Sequence, residues 1–211
     1  GKGVGLVDAY FDCNEIEELV PADDGYFCNC TDVETFSCSH NRLTKVPNIF
    51  NSKNVFTMGS VDFSYNNISD FDTEHGAYKG INASTVNLSN NAFSRFPKEL
   101  FETGSPIRSL NLAGNAIAEI KDGEMTGEKS FYLQSLDLQM NKLSRLPDDF
   151  YATNLPYFYG LDISYNQFDR FPYKVLDCQG LTVLAIRQQR DKDGNRVLRE
   201  WPTGIGSCPS L

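Results

Sequence analysis

Three groupings of side chains in this sequence are of types that do chemistry. Cys28-Asn29-Cys30 and, after a seven-residue gap, Cys38-Ser39-His40 bring together three thiols and an imidazole, the donor types of a zinc site. Structural zinc sites favour wider Cys-Cys spacings, and a free cysteine is often a small buried hydrophobe, so both readings of Cys28, Cys30, Cys38 and His40 stand. Asp137 and Asp162 lie in matching Leu-Asp-Leu and Leu-Asp-Ile tripeptides. As neighbours they would perturb each other's protonation, the raw material of acid–base catalysis, yet such tripeptides are also an ordinary way to write a strand with one wet face. The insertion Arg190-Asp191-Lys192-Asp193-Gly194-Asn195 imitates a calcium loop but puts glycine fourth from Asp191, where that loop needs it sixth; a projecting hairpin is the better reading. The two histidines are His40 and His75, and no nucleophile-elbow, metalloprotease, kinase or phosphate-loop pattern occurs. The sequence thus predicts no catalytic residues, no cofactor and a non-enzymatic protein.

The elements that hold these residues emerge when the chain is compared with itself. The segment LQSLDLQMNKLSRLP recurs as VETFSCSHNRLTKVP, MGSVDFSYNNISDF, ASTVNLSNNAFSRFP, IRSLNLAGNAIAEI and FYGLDISYNQFDRFP, sharing the frame L-x-x-L-x-L-x-x-N-x-L-x-x-L-P. Its asparagine falls at Asn41, Asn66, Asn91, Asn115, Asn141 and Asn166, in steps of 25, 25, 24, 26 and 25 residues. Asn14 upstream and Gln189 downstream mark two degenerate copies, giving eight turns. Large apolar residues five and three positions before each marker alternate as in a strand with one buried face. Further apolar columns follow two and five positions after it, the last ending at Trp201 beyond the insertion. One turn cannot bury such columns alone, so the turns must stack. The asparagine amide is suited to satisfying backbone groups inside that stack. Pro47, Pro97, Pro147 and Pro172 disfavour long helices on the return, predicting short 3₁₀ and extended pieces with an inward column at Phe50, Leu100, Phe150 and Val175. Cys178 and Cys208 share a repeat phase in adjacent turns, which suits either a disulfide or two buried thiols.

Composition narrows the partners. The 211 residues are 40% hydrophobic, enough for a core, and 19 basic against 28 acidic residues leave a net charge of −9 with no basic stretch. Nucleic acid and anionic membrane surfaces, which need a positive footprint, are thereby poor partners, and no apolar run reaches membrane-spanning length.

The frame resembles the leucine-rich repeat superfamily over essentially the whole chain. More narrowly, TFSCSHNRLTKVPNIF and RQQRDKDGNRVLREWPTGI resemble a group of bacterial secreted or surface-anchored leucine-rich repeat proteins of uncharacterised function. That resemblance implies an α/β repeat solenoid with a curved parallel β-sheet on the concave face and short 3₁₀ or extended segments on the convex face. It also implies binding, with a secreted or cell-surface location. Residues 1–211 are expected to form one repeat domain, a fragment of a longer protein without its capping repeats or signal segment.

On the concave face the frame exposes the positions four, two and one before each marker. These predict a small, polar, mildly acidic surface whose candidate ligand-binding residues are Asp62, Tyr65, Asn87, Asn111, Asp137, Met140, Asp162 and Tyr165. Such a face suits a polar or basic protein partner, with a glycan as the alternative and a purely structural repeat as the other.

Overall fold

The computed structural model describes residues 6–20, 33–49, 58–74, 78, 80–102, 106–125, 132–150 and 155–205. Phe50, Cys28, Cys30, His75 and Cys208 lie outside them. Eight short strands, β1 (Asp8–Tyr10), β2 (Thr35–Ser37), β4 (Met58–Asp62), β6 (Ala83–Asn87), β7 (Ser109–Asn111), β8 (Ser135–Asp137), β9 (Gly160–Asp162) and β10 (Val183–Ala185), form one parallel sheet in chain order. Two shorter strands, β3 (Lys45–Val46) and β5 (Asp70–Phe71), pair in parallel on the flank. The register is the one the frame dictates: Ala9, Phe36, Val61, Val86, Leu110, Leu136, Leu161 and Leu184 align as one row. A one-residue slip would turn this apolar row to solvent, so the pattern holds it.

Behind the sheet the core runs the length of the stack, from Val33 and Phe36 through Phe63, Leu88, Leu112 and Leu138 to Ile163 and Leu181. The returns carry a single helical turn at α1 (Glu99–Glu102) and a 3₁₀ turn at Tyr173–Asp177, with Leu100, Phe150 and Val175 fully buried beneath them. The end turns are thinner. Phe11, in a core slot of the first turn, reaches Phe36 at 5.9 Å between ring centroids yet remains 45% exposed.

The insertion folds into the expected hairpin, closed by the Arg190–Arg196 bridge, with Gly194 at φ +82°. Its Asp191 carboxylate accepts the Asp193 and Asn195 backbone N–H groups, so it serves as the turn's own hydrogen-bond acceptor. The position assigned to Trp201 needs correction. Leu198 packs on the core and Pro202 is buried, both as the frame requires, but Trp201 between them is 78% exposed, in the last described turn, where Leu184 and Ile186 are also only partly buried.

The marker asparagines lock neighbouring turns. Asn166, 2% exposed, donates Nδ2 to the Leu138 carbonyl of the preceding turn at 2.8 Å and accepts the Leu143 N–H at 2.9 Å. Asn41, Asn66, Asn91, Asn115 and Asn141 repeat the same two bonds. Gln189 makes them as well, to Ile163 and Phe168, so the missing asparagine is functionally present in a longer side chain. Asn14 is exposed and, among the described residues, reaches only carbonyls of its own turn.

Candidate functional site

At the end of each strand the chain leaves the ladder, and the backbone N–H two residues on needs an acceptor. In five turns the side chain four before the marker supplies it. Asp62, Asn87, Asn111, Asp137 and Asp162 are half-buried, and each accepts the N–H of Ser64, Ser89, Ala113, Gln139 or Ser164 at 2.7–3.1 Å. This local bond is what Asp and Asn side chains are built for, and it explains why the two types interchange in this column. In the second turn Ser37 is too short for the task. The Asp12 carboxylate of the turn before accepts both the Ser37 hydroxyl and the Ser39 N–H.

Two carboxylates of the face depart from the ordinary range. Burial works to raise Asp12, but the hydrogen bonds from Ser37 and Ser39 outweigh it and hold the group low. Burial also raises Asp137, and with the charge of Asp162 it prevails over the bonds from Gln139. Asp137 thus feels the charge of Asp162, while each carboxylate remains committed to its own turn.

The residue just before each marker carries the other half of the surface. Cys13, His40, Tyr65, Asn90, Gly114, Met140, Tyr165 and Gln188 all adopt positive φ, between 46° and 68°. Only glycine and asparagine take this left-handed conformation readily. The other six adopt it at an energetic cost in a turn that every repeat needs, and their side chains stand exposed at the rim. Tyr65, Met140 and Tyr165 are 51%, 57% and 42% exposed there. His40 stacks on Tyr65 at 4.2 Å with ring planes 7° apart, one turn from the next.

The structure separates the other sequence candidates. Cys38 is fully buried, its thiol pushed up to about 11 by burial and by Asp12, whereas His40 faces solvent. Among the described residues no three His, Cys, Asp or Glu side chains gather as a metal-binding group. Cys178 is half-buried at the end of the 3₁₀ turn, and its candidate partner Cys208 lies outside the described residues. Clefts of about 460 and 320 Å³ lie near Lys45 and Tyr173, and His40, Asp137 and Asp162 line neither. Sequence reasoning overlooked the exposed apolar residues at the start of the last strands: Tyr132, Tyr157, Tyr159 and Val183, 46–56% exposed. Extending the frame to nine positions before the marker would have placed Tyr132 and Tyr157 in one column.

The model of the Leucine Rich Repeat family matches residues 132–152. A leucine-rich repeat protein from Bacteroides eggerthii, solved by crystallography, is 45% identical with a TM-score of 0.85 over 98% of this chain and 35% of its own. This chain is a leucine-rich repeat protein. A second such repeat protein, from Bacteroides thetaiotaomicron, is 44% identical with a TM-score of 0.82, covering 99% of this chain and 26% of that one. The human leucine-rich repeats and immunoglobulin-like domains proteins 1 and 3 are 28% and 27% identical over 82% and 78% of this chain. This leucine-rich repeat chain spans only 15% and 14% of those two proteins. Among its described residues no helix is long and apolar enough to cross a membrane.

Proposed function

We propose that the chain is a non-enzymatic binding module, secreted or displayed at the cell surface, whose concave sheet engages a protein partner. The observation that carries this reading is the row of exposed side chains held at positive φ, with Tyr65, Met140 and Tyr165 as apolar anchors. A turn backbone set before contact loses little freedom on binding, which favours affinity. The half-buried carboxylates beneath them favour a polar or basic partner over a greasy one. The location follows from the resemblance of the second and last turns to bacterial secreted proteins.

The test is affinity capture from the envelope fraction of the native cells. The wild type and a flank control, Glu119→Ala, which breaks only the exposed pair with Arg145, should retain the same partner. A Tyr65→Ala/Tyr165→Ala double variant should lose it while remaining folded. Equal retention by all three would leave the face purely structural. Protease treatment of intact cells checks the location, and binding to a glycan array in place of protein would favour the saccharide reading.

A further inference from the structure

The residue four after each marker stands on the flank, and successive turns bring these residues side by side, as the pairing of Lys45 with Asp70 shows. Their charges alternate through Glu18, Lys45, Asp70, Arg95, Glu119 and Arg145. Opposite charges on neighbouring turns meet, Arg95 with Asp70 at 2.8 Å and Arg145 with Glu119 at 3.3 Å. Arg95 also meets Glu99, four residues on in its own turn, at 2.8 Å, so one guanidinium is held between two carboxylates. The next turn after Arg145 breaks the alternation with Arg170. In phase, Arg145 stands beside Arg170 where Asp70 stands beside Arg95, and Lys174 replaces Glu99. Both anions of the Arg95 arrangement have become cations.

Among the described residues Arg170 makes no ion pair, and neither does Glu200, the in-phase residue beyond the hairpin. Arg145, Arg170 and Lys174 line one cleft of about 320 Å³, beside the half-exposed ring of Tyr173. That volume is of small-ligand size. Two carboxylates share the cleft. Asp148 lies 3.4 Å from Lys174 with both side chains more than half exposed, an arrangement of little energetic weight. Asp169 makes no ion pair among the described residues. No residue of the concave strands lines this cleft.

We propose that the cleft binds an extended acidic segment of a protein partner through two of its carboxylates. One lies between Arg145 and Arg170, in the place Asp70 takes beside Arg95, and the other between Arg170 and Lys174, in the place of Glu99. The occupant is argued from charge complementarity and from this precedent: on the same flank, Asp and Glu side chains fill both places around Arg95 at 2.8 Å. Guanidinium forks match planar carboxylates, and the Tyr173 ring gives the aliphatic stems of the segment a surface to lie on. The site is separate from the concave sheet and stands whether or not that sheet binds a partner.

The probe is the peptide acetyl-Ser-Glu-Ser-Glu-Ser-amide, titrated into the isotope-labelled chain while amide chemical shifts are followed. Saturable shifts at Arg145, Arg170, Tyr173 and Lys174 are expected, with none from the peptide carrying glutamine in place of both glutamates. Arg170→Glu restores the alternation beside Arg145; it should abolish saturable binding and leave the urea midpoint unchanged or higher. Lys174→Glu rebuilds the Arg95 arrangement within this turn and should weaken binding about tenfold. Lys142→Glu, the same charge change on an exposed residue outside the cleft, should leave affinity within about twofold. The proposal is overturned by no saturable shift, by an equal response to the glutamine peptide, or by binding undiminished in both Arg170→Glu and Lys174→Glu. It is also overturned if Lys142→Glu weakens binding as much as Lys174→Glu, or if inorganic phosphate saturates the same amides at lower concentration than the peptide.

Discussion

Replacing Asn166 with alanine tests how the stack is held. The asparagine makes four bonds, three from Nδ2 to the Leu138, Ile163 and Ser164 carbonyls and one accepted from the Leu143 N–H. The carbonyls keep other donors in the variant: Asn141 Nδ2 for Leu138, Gln189 Nε2 for Ile163 and the Met140 N–H for Ser164. Leu143, 1% exposed, has no such reserve. Its orphaned N–H costs about 1–3 kcal/mol, and the three weakened carbonyls add a fraction of a kcal/mol each, for a total of about 3 kcal/mol. Asn14→Ala removes only exposed bonds within one turn and should cost about 0.5 kcal/mol. Stacked turns need not melt as one unit, so the decisive assay is native-state hydrogen exchange at the Leu143 amide, supported by urea denaturation. Protection of Leu143 should fall in Asn166→Ala and be unchanged in Asn14→Ala. Equal effects of the two variants, in either assay, would show that bonds between turns do not hold the solenoid.

Met140→Asn should stabilise the protein by about 1 kcal/mol, read as a rise in Tm, because asparagine tolerates the left-handed backbone at this position. Asp12→Asn and Asp137→Asn should differ from the wild type with opposite pH dependence. Asp12, held below the ordinary value of 3.8, contributes stability above that value that is lost as pH falls through its lowered pKa. The Asp12→Asn deficit should therefore be full at pH near neutrality and shrink in acid. Asp137, raised above 3.8, contributes stability in its protonated form that is lost as pH rises through the raised pKa. Asp137→Asn should hence gain on the wild type as pH rises through that window, in urea midpoints collected across it. Among the described cysteines, iodoacetamide at neutral pH should modify exposed Cys13 and spare Cys38 until the chain unfolds, by peptide mass mapping.

The fold was legible because its signal is repeated. Eight copies of one alternation fixed the strand row from Ala9 to Leu184 and the role of the asparagines, since periodicity of burial is written directly in residue type. The site was less legible. Asp62, Asn87, Asn111, Asp137 and Asp162 were read as exposed positions and are half-buried, because their bonds to the backbone depend on how a strand ends, which no column of side chains displays. The positive φ of Tyr65, Met140 and Tyr165 was hidden for a related reason: only Asn90 and Gly114 in that column carry the usual residue types for it. Trp201 was misplaced because a column count does not show how fully each turn is covered: Leu198 and Pro202 keep the phase, yet the slots of the last described turn are only partly buried.

The asparagine lock has a direction. From Asn41 to Gln189 each marker amide, besides bonding its own turn, reaches back to the turn before it and never forward, so the lock between two turns is supplied by the later one. On a ribosome, a newly made turn stays unlatched until the next marker, about 25 residues later, has emerged. Assembly of this wall therefore always leaves its newest course without mortar.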